Sequence, residues 1–219
     1  MTDPAIRHAI VAGHPNADSF TLAMARRYAD TVEQEGQHVI LRDLYRMGFD
    51  PVLQESERHG NPLPDVAREW ECLGRPDVFV LVYPIWFGAP PAILKGYVER
   101  VMGAGRSRGF ESPGAQDDRM TGRCMVSLTC SGQKRPWLEE RGIPDSLRTI
   151  YDRYLADRLG VAETHRYHFD GVSDAAPPDE LRAHLDAVER AARAVMARLA
   201  KGPPDIDPYR YLRERSDGS

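Results

Sequence analysis

The sequence predicts a single α/β domain built on a doubly wound parallel sheet, with helices on both faces. Apolar runs of strand length alternate with segments of helical spacing along most of the 219 residues. One run, VFVLVY at residues 78–83, shows no polar alternation, which is typical of a strand covered on both faces. The simplest arrangement of five such strands is the order 2-1-3-4-5.

The first unit, residues 7–44, reads as strand, helix and strand. Asp18 or Ser19 can cap the helix, and Gly36 can end it. The crossover should be right-handed, which makes the two strands parallel. The apolar face of the helix is formed by Leu22, Ala25, Ala29 and Val32.

The centre of the chain contains two segments rich in glycine and charged residues, at residues 45–65 and 103–121. Both are predicted to be long loops without strands, with Phe110 the main aromatic anchor of the second. Residues 66–73 predict a short helix, and residues 78–102 predict a strand, a loop and a helix.

The C-terminal part supplies the remaining elements. Strands are predicted at residues 123–129 and 161–169, and a long helix at residues 177–201. We expect the domain to comprise residues 1–203, and residues 204–219 to form an irregular extension. Between the two strands, one amphipathic helix closed by Gly160 is predicted from Leu147, Ile150, Tyr151, Tyr154, Leu155 and Leu159.

Composition argues against several classes of protein. A net charge of -4 and a pI near 6.0 give no general attraction for nucleic acid or anionic membranes. Three cysteines without metal-type spacing argue against a disulfide framework or a metal site, so a reducing cytoplasm is expected. The start of the chain has no signal-peptide organisation, and no apolar stretch approaches the roughly 20 residues of a membrane span.

Three predicted loops meet at the carboxyl edge of the sheet, where open α/β sheets bind ligands. The first, HPNADSFT at residues 14–21, lacks both named nucleotide fingerprints. It nevertheless opens a helix, where free amides of residues 19–21 and the hydroxyls of Ser19 and Thr21 can hold a phosphate, with His14 as an extra donor. The alternative is that Ser19 only caps the helix.

The second loop, PIWFGAPP at residues 84–91, presents Trp86 and Phe87 beside Gly88. These aromatics can be core residues at a strand end, or they can offer a flat apolar surface to a ring. The flanking prolines favour the second interpretation. The third loop, TCSGQ at residues 129–133, is small enough for a ring to approach its backbone.

The cysteine and histidine side chains form no recognisable catalytic pattern in the sequence. Cys130 is interpreted as a small spacer, because no general base lies at a telling distance in sequence. The scattered His59, His165, His168 and His184 are interpreted as surface or core residues.

Three motifs resemble one family: HPNADSF, DLYRMGFDPVL at residues 43–53, and YPIWFGAPPAILKGYVERVM at residues 83–102. They are similar to the flavodoxin-like NAD(P)H:quinone oxidoreductases of the DT-diaphorase type and their bacterial relatives, over roughly residues 6–171. The resemblance implies a flavodoxin-like sheet and a dimer whose partner subunits complete each flavin site. By position, it implies that flavin is bound by His14, Ser19, Phe20, Thr21, Pro84, Ile85, Trp86, Phe87, Thr129, Cys130, Ser131 and Gly132.

The sequence departs from this family at several positions. Thr129-Cys130-Ser131-Gly132 stands where the family commonly has Thr-Thr-Gly-Gly, so the backbone must accommodate a Cβ at Ser131. Trp137 and Ile143 stand where well-known members carry a Tyr and a His that stabilise charge on the reduced flavin, so this polar relay is expected to be absent. Thr21 replaces a usual Asn.

The resulting hypothesis is a flavoenzyme in which NAD(P)H reduces FAD, or FMN, which then reduces a quinone or another flat acceptor. Trp86 and Phe87 are the candidate catalytic residues that stack on the ring, with Trp137 as a candidate stacking surface for the substrate. One alternative is a flavin- or nucleotide-binding regulatory subunit of a membrane transporter. An electron-carrier flavodoxin is less favoured, since short carriers lack the long loops seen here.

Overall fold

A computed structural model describes residues 5–103 and 124–201, and its sheet confirms the predicted fold class. The strands are β1 (Arg7–Ala12), β2 (His38–Asp43), β3 (Val78–Pro84), β4 (Cys124–Cys130) and β5 (Glu163–Phe169). All pairings are parallel and the order is β2-β1-β3-β4-β5. The carboxyl ends of all five strands therefore share one edge. The second long predicted loop, including Phe110, and the proposed extension from residue 204 lie outside the described residues.

The helices are α1 (Phe20–Gln34), α2 (Glu55–Arg58), α3 (Pro64–Leu73), α4 (Ala92–Tyr97), α5 (Arg135–Glu140), α6 (Ile143–Leu147), α7 (Leu155–Leu159) and α8 (Pro178–Leu199). Two π-helical turns, Val98–Gly103 and Arg148–Tyr154, continue α4 and join α6 to α7. Among the helices described, none is long and apolar enough to cross a membrane.

The core consists of two apolar layers because successive residues of a strand point to opposite faces. On β3, Val80 and Val82 pack in the layer shared with α1 and α8. Leu81 and Tyr83 pack in the opposite layer, with α3, α4 and α7. Every residue of β3 and β4 is buried, as the unbroken apolar run of β3 predicts. The two central strands thus form a rigid base for the loops that follow them.

Helix α1 begins and ends at residues identifiable in the sequence. The Ser19 side chain accepts a hydrogen bond from the Leu22 amide at 3.3 Å, which confirms it as the cap. All four predicted apolar positions of α1 are buried, and the helix ends at Gln34 shortly before Gly36.

Residues 45–65 form no strand, as predicted, but they are more than a surface loop. The α2 turn contributes Glu57, which is fully buried and accepts hydrogen bonds from the Arg100 guanidinium at 2.9–3.1 Å. Arg100 also donates to the Asp50 carbonyl at 2.6 Å and pairs with Asp65 at 2.9 Å. The buried arginine therefore ties this segment to the π-helical turn that follows α4.

A second contact joins the same two segments. At Gly96 of α4, an added Cβ would lie within 2.5 Å of the Pro51 Cα, closer than such atoms approach in proteins. The backbone of residue 51 consequently lies directly on the helix, and only glycine leaves room for it.

The prediction of one amphipathic helix over residues 147–159 is wrong in part. Leu147, Tyr151 and Leu159 are buried, whereas Ile150 and Tyr154 are 52% and 63% exposed. The π-helical turn at Arg148–Tyr154 explains the difference, because its wider turn shifts side chains away from the angular positions of a regular α-helix.

The buried His8 should make the protein sensitive to acid. Burial lowers the pKa of His8 from 6.5 to about 4, while Asp77 opposes this shift. Between pH 6.5 and 4 the unfolded state therefore binds more protons than the folded state, so stability falls as the pH falls through this window. The expected loss from this ring is on the order of 3 kcal/mol.

Urea unfolding at several pH values would measure this dependence. The variant His8→Gln should make the curve between pH 6.5 and 4 less steep than that of the wild type. An unchanged slope in His8→Gln would contradict the assignment.

Candidate functional site

A groove of about 370 Å³ lies at the carboxyl edge of the sheet, between the loops that follow β1, β3 and β4. It brings together most of the site residues that the sequence predicts. Those that line the groove are His14, Ser19, Phe20, Thr21, Pro84, Ile85, Trp86, Cys130, Ser131 and Gly132.

The start of α1 forms one end of the groove. The amide of Ser19 donates to the Asn16 carbonyl at 3.3 Å, and its hydroxyl caps the helix, which corrects the expectation that both groups are free for a ligand. The amides of Phe20 and Thr21 have no acceptor within residues 5–103 and 124–201. With the dipole of a 15-residue helix behind them, they suit an anionic group such as a phosphate.

His14 is held beside this helix start. Its Nδ1 lies 3.1 Å from the Asn16 amide nitrogen and 3.3 Å from the Asn16 carbonyl oxygen. Partial burial lowers the pKa of His14, against the opposing effects of Asn16 and Asp43. In the neutral ring, Nδ1 accepts the Asn16 amide proton, which places the ring proton on Nε2. The second nitrogen is then a donor, as an anion site requires.

The loop after β3 is a four-residue turn. The Trp86 amide donates to the Ala89 carbonyl at 2.9 Å, and the Ala89 amide donates back at 3.0 Å. The two central residues, Phe87 and Gly88, have φ values of 50° and 79°, as in a type I′ turn. Trp86 is 39% exposed and lies 5.4 Å from the His14 ring, whereas Phe87 is fully exposed. The turn therefore holds one aromatic ring against the groove and the other in solvent.

The loop after β4 forms the opposite wall. Its Cys130 side chain lies 3.4 Å from the buried Thr21 hydroxyl. Burial raises the pKa of the Cys130 thiol to about 11, so the thiol stays protonated and unreactive near neutral pH. This supports the interpretation of Cys130 as a spacer. Gly132 follows it, and the Gly132 amide has no acceptor in the described part of the chain.

Beneath this loop, His168 of β5 bridges two hydroxyl groups of the neighbouring chain segment. Its Nδ1 lies 3.0 Å from the Thr129 hydroxyl, and its Nε2 lies 3.1 Å from the Ser131 hydroxyl. The register of the parallel pair explains the contact, since His168 is directly opposite Thr129. His168, interpreted from the sequence as a surface or core residue, thus links β5 to the loop after β4.

Comparison with known proteins agrees with this geometry. The sequence profile of the Flavodoxin_2 family, which has a flavodoxin-like fold, matches residues 7–192. The chain belongs to the Flavodoxin_2 family. A Haemophilus influenzae protein named as an uncharacterized NAD(P)H oxidoreductase is 30% identical over 199 residues, covering 89% of this chain and 96% of its own length.

Two further relatives of this flavodoxin-like chain have more specific names. The NAD(P)H dehydrogenase (quinone) 1 of Rattus norvegicus is 28% identical over 151 residues, and the match covers 58% of this chain and 55% of that enzyme. Among solved structures, an NAD(P)H:quinone oxidoreductase from Methanothermobacter marburgensis superposes with a TM-score of 0.73 at 27% identity, covering 88% of this chain and 98% of that one.

Three predicted site residues of this family member lie outside the groove. The Thr129 side chain lines a neighbouring cleft of about 490 Å³ on the other side of β4, beside Arg166 and His168. Phe87 is not part of the groove wall. Trp137 of α5 is 41% exposed, and the Arg141 guanidinium lies 4.0 Å from the centre of its ring. Trp137 thus packs against its own helix.

The sequence analysis also missed part of the groove. The loop after β5 contributes Val172, Ser173 and Asp174 to the wall, and the Val172 amide donates to the Ser131 carbonyl at 2.8 Å. The signal was present, because this loop follows a parallel strand and must leave at the same edge as the other three. The remaining groove residues, which were not predicted to belong to the site, are Asn16, Asp18 and Leu181.

Taken together, the groove combines the Trp86 ring with the amides of Phe20, Thr21 and Gly132, which have no acceptor among residues 5–103 and 124–201. This donor set fits a flavin: a phosphate suits the Phe20 and Thr21 amides, and a flat ring suits the space beside Trp86. Backbone groups near Gly132 can pair with the polar edge of such a ring.

Proposed function

We propose that this protein is an NAD(P)H-dependent flavoprotein oxidoreductase that reduces quinones, or other flat acceptors, by two electrons. The observation that carries this proposal is the groove lined by the start of α1, by Trp86 and by the Ser131–Gly132 backbone. It is supported by the family and by relatives named as NAD(P)H oxidoreductases and quinone reductases.

The protein's own groups bind and orient the cofactor. The amides of Phe20 and Thr21 and the His14 ring hold its phosphate, while Trp86 and Ile85 pack on the ring. When bound, the flavin supplies hydride transfer between NAD(P)H and the acceptor at its N5 position. The groove holds the ring in a fixed orientation, and donor and acceptor use it in turn, which corresponds to a ping-pong sequence.

FAD is the cofactor we propose, with FMN as the alternative, and either NADPH or NADH as the hydride donor. Both flavins share the phosphate and the ring that the groove suits. Mass spectrometry of the cofactor released from purified protein would separate the two.

A simple assay tests the proposed function. Purified protein should be yellow, or become yellow when incubated with FAD or FMN, and should oxidise NAD(P)H when menadione is present. Protein that remains colourless would exclude the flavin site. Protein that binds flavin but is never reduced by NAD(P)H would instead support a regulatory subunit.

Trp86 should contribute strongly to flavin affinity. Trp86→Ala removes the aromatic wall, and the loss of about 0.5–1.5 kcal/mol of ring contact should weaken flavin binding roughly twofold to tenfold. Fluorescence titration of the flavin-free protein would measure this change.

The matched comparison is Trp137→Ala, which removes an aromatic ring of similar exposure outside the groove. Its flavin dissociation constant should equal that of the wild type. If Trp137→Ala weakened flavin binding as much as Trp86→Ala, the groove would not be the flavin site.

We also propose that the protein is a homodimer with the partner completing each site. Large apolar side chains are exposed on the described surface, among them Phe87, Trp137, Ile150 and Tyr154. Sedimentation analysis would measure the oligomeric state, and a monomer at micromolar concentration would contradict the proposal.

A further inference from the structure

The two hydroxyl groups that His168 bridges have other hydrogen-bond partners. The Thr129 hydroxyl lies 3.2 Å from the Tyr167 carbonyl oxygen, and the Ser131 hydroxyl lies 2.8 Å from the Gln133 carbonyl oxygen. A carbonyl oxygen can only accept, so each hydroxyl must donate its single hydrogen to that carbonyl for the contact to form.

These contacts determine how many hydrogens the imidazole ring must donate. If both hydroxyls donate to their carbonyls, both must accept from His168, at Nδ1 and at Nε2. A neutral imidazole has one N–H, whereas an imidazolium has two. The neutral ring therefore leaves one of the four contacts without a hydrogen, and the protonated ring completes all four.

The surroundings oppose protonation in the protein as it stands. Burial lowers the pKa of His168 from 6.5 to about 4, and Arg135, Arg166 and His184 contribute in the same direction, while Asp170 opposes them. At neutral pH, one of the four contacts around His168 therefore lacks a hydrogen. Negative charge nearby would favour protonation of the ring, which would supply that hydrogen.

The groove places such a charge next to this network. Ser131, which contacts His168 directly, is itself part of the groove wall. Transfer of a hydride brings two electrons and one proton, so a neutral ring that accepts it gains one negative charge. Negative charge held in the groove beside Ser131 would raise the pKa of His168, because a nearby opposite charge favours the protonated ring.

We propose that His168 takes up a proton from solvent when the bound ring is reduced, and that the imidazolium formed in this way balances the added charge from behind Ser131. The inference rests on the proposed function. The electron pair and the hydride proton come from NAD(P)H, and the compensating proton comes from water through the neighbouring cleft, which His168 lines. When the acceptor takes the hydride, His168 releases its proton. His168 is a positioning residue in this scheme, because Ser131 lines the groove and His168 lies behind it.

The first measurement uses flavin-free protein. Nuclear magnetic resonance of the histidine rings, labelled with nitrogen-15, should show His168 neutral at pH 7. Below its pKa, it should show two slowly exchanging ring N–H groups. Ser131→Ala should accelerate exchange of the Nε2 proton alone. A protonated His168 with rapidly exchanging N–H groups would overturn the network.

The second measurement uses flavin-loaded protein, reduced anaerobically with dithionite in weak buffer between pH 5 and 7. The wild type should take up more protons per flavin than His168→Gln, by up to one, and the pKa of His168 should be higher in the reduced protein. His165→Gln, on the same strand but the opposite face, should behave as the wild type. Ser131→Ala should take up fewer protons per flavin than the wild type. It provides a second variant if His168→Gln folds poorly.

The two proposals can fail separately. If flavin binds but proton uptake is the same in the wild type and His168→Gln, the inference is wrong and the flavin site stands. If no flavin binds, the proposed function fails and the coupling fails with it. The ring titration in flavin-free protein would still establish whether the network closes on protonation.

Discussion

Replacing Arg100 by leucine should destabilise the protein by about 3–5 kcal/mol, the usual cost of removing one partner from a buried ion pair. Arg100 and Glu57 are 1% and 0% exposed, so the substitution would leave a buried carboxylate without its cation. It would also leave the Asp50 carbonyl without a donor. Urea unfolding at pH 7 measures the change in the free energy of unfolding.

The comparison variant is Arg182→Leu, which breaks an exposed ion pair with Asp179 on α8. Because exposed pairs contribute about 0–1 kcal/mol, this change should be small. If the two variants were equally stable, the buried network would not anchor residues 45–65. Limited proteolysis offers an independent check, since Arg100→Leu should make that segment easier to cleave.

Replacing Gly96 by alanine should destabilise the protein by about 1–3 kcal/mol, through overpacking against Pro51. The sign of the change in stability is informative, because alanine is favoured over glycine in a helix by about 1 kcal/mol. Intrinsic propensity alone thus predicts stabilisation. The clash should prevail, since the neighbouring atoms belong to backbone and a rigid proline ring that cannot move aside as a flexible side chain can.

Lys95→Ala is the matched control, because it changes the adjacent and exposed position of the same helix. Its effect on the free energy of unfolding should stay within about 0.5 kcal/mol. An alanine at position 96 that proved neutral or stabilising would mean that residue 51 does not lie on α4 in solution.

The strands could be predicted from the sequence because each is a short apolar run between turn residues. The first predicted unit ends at residue 44, one residue after the observed end of β2 at Asp43. The sheet order followed from alternation of strands with helices, which forces parallel crossovers. These signals are local, and a single sequence contains them.

The contacts that could not be predicted from the sequence are not local. His168 meets Ser131 across 37 residues, and Arg100 meets Glu57 across 43 residues. Residue patterns do not specify such pairings until the register of the strands is known. The π-helical turn at Arg148–Tyr154 was equally hidden, because its apolar residues have the same spacing as those of a regular helix.

Phe87 has a consequence for any attempt to make this protein more stable. A type I′ turn favours asparagine or glycine at its first central position, and a bulky residue held at positive φ costs roughly 1–3 kcal/mol. Selection for folding alone would therefore replace this phenylalanine and tighten the loop. Thermostable redesigns that follow backbone preference would discard the exposed aromatic ring next to Trp86, so position 87 is one to hold fixed.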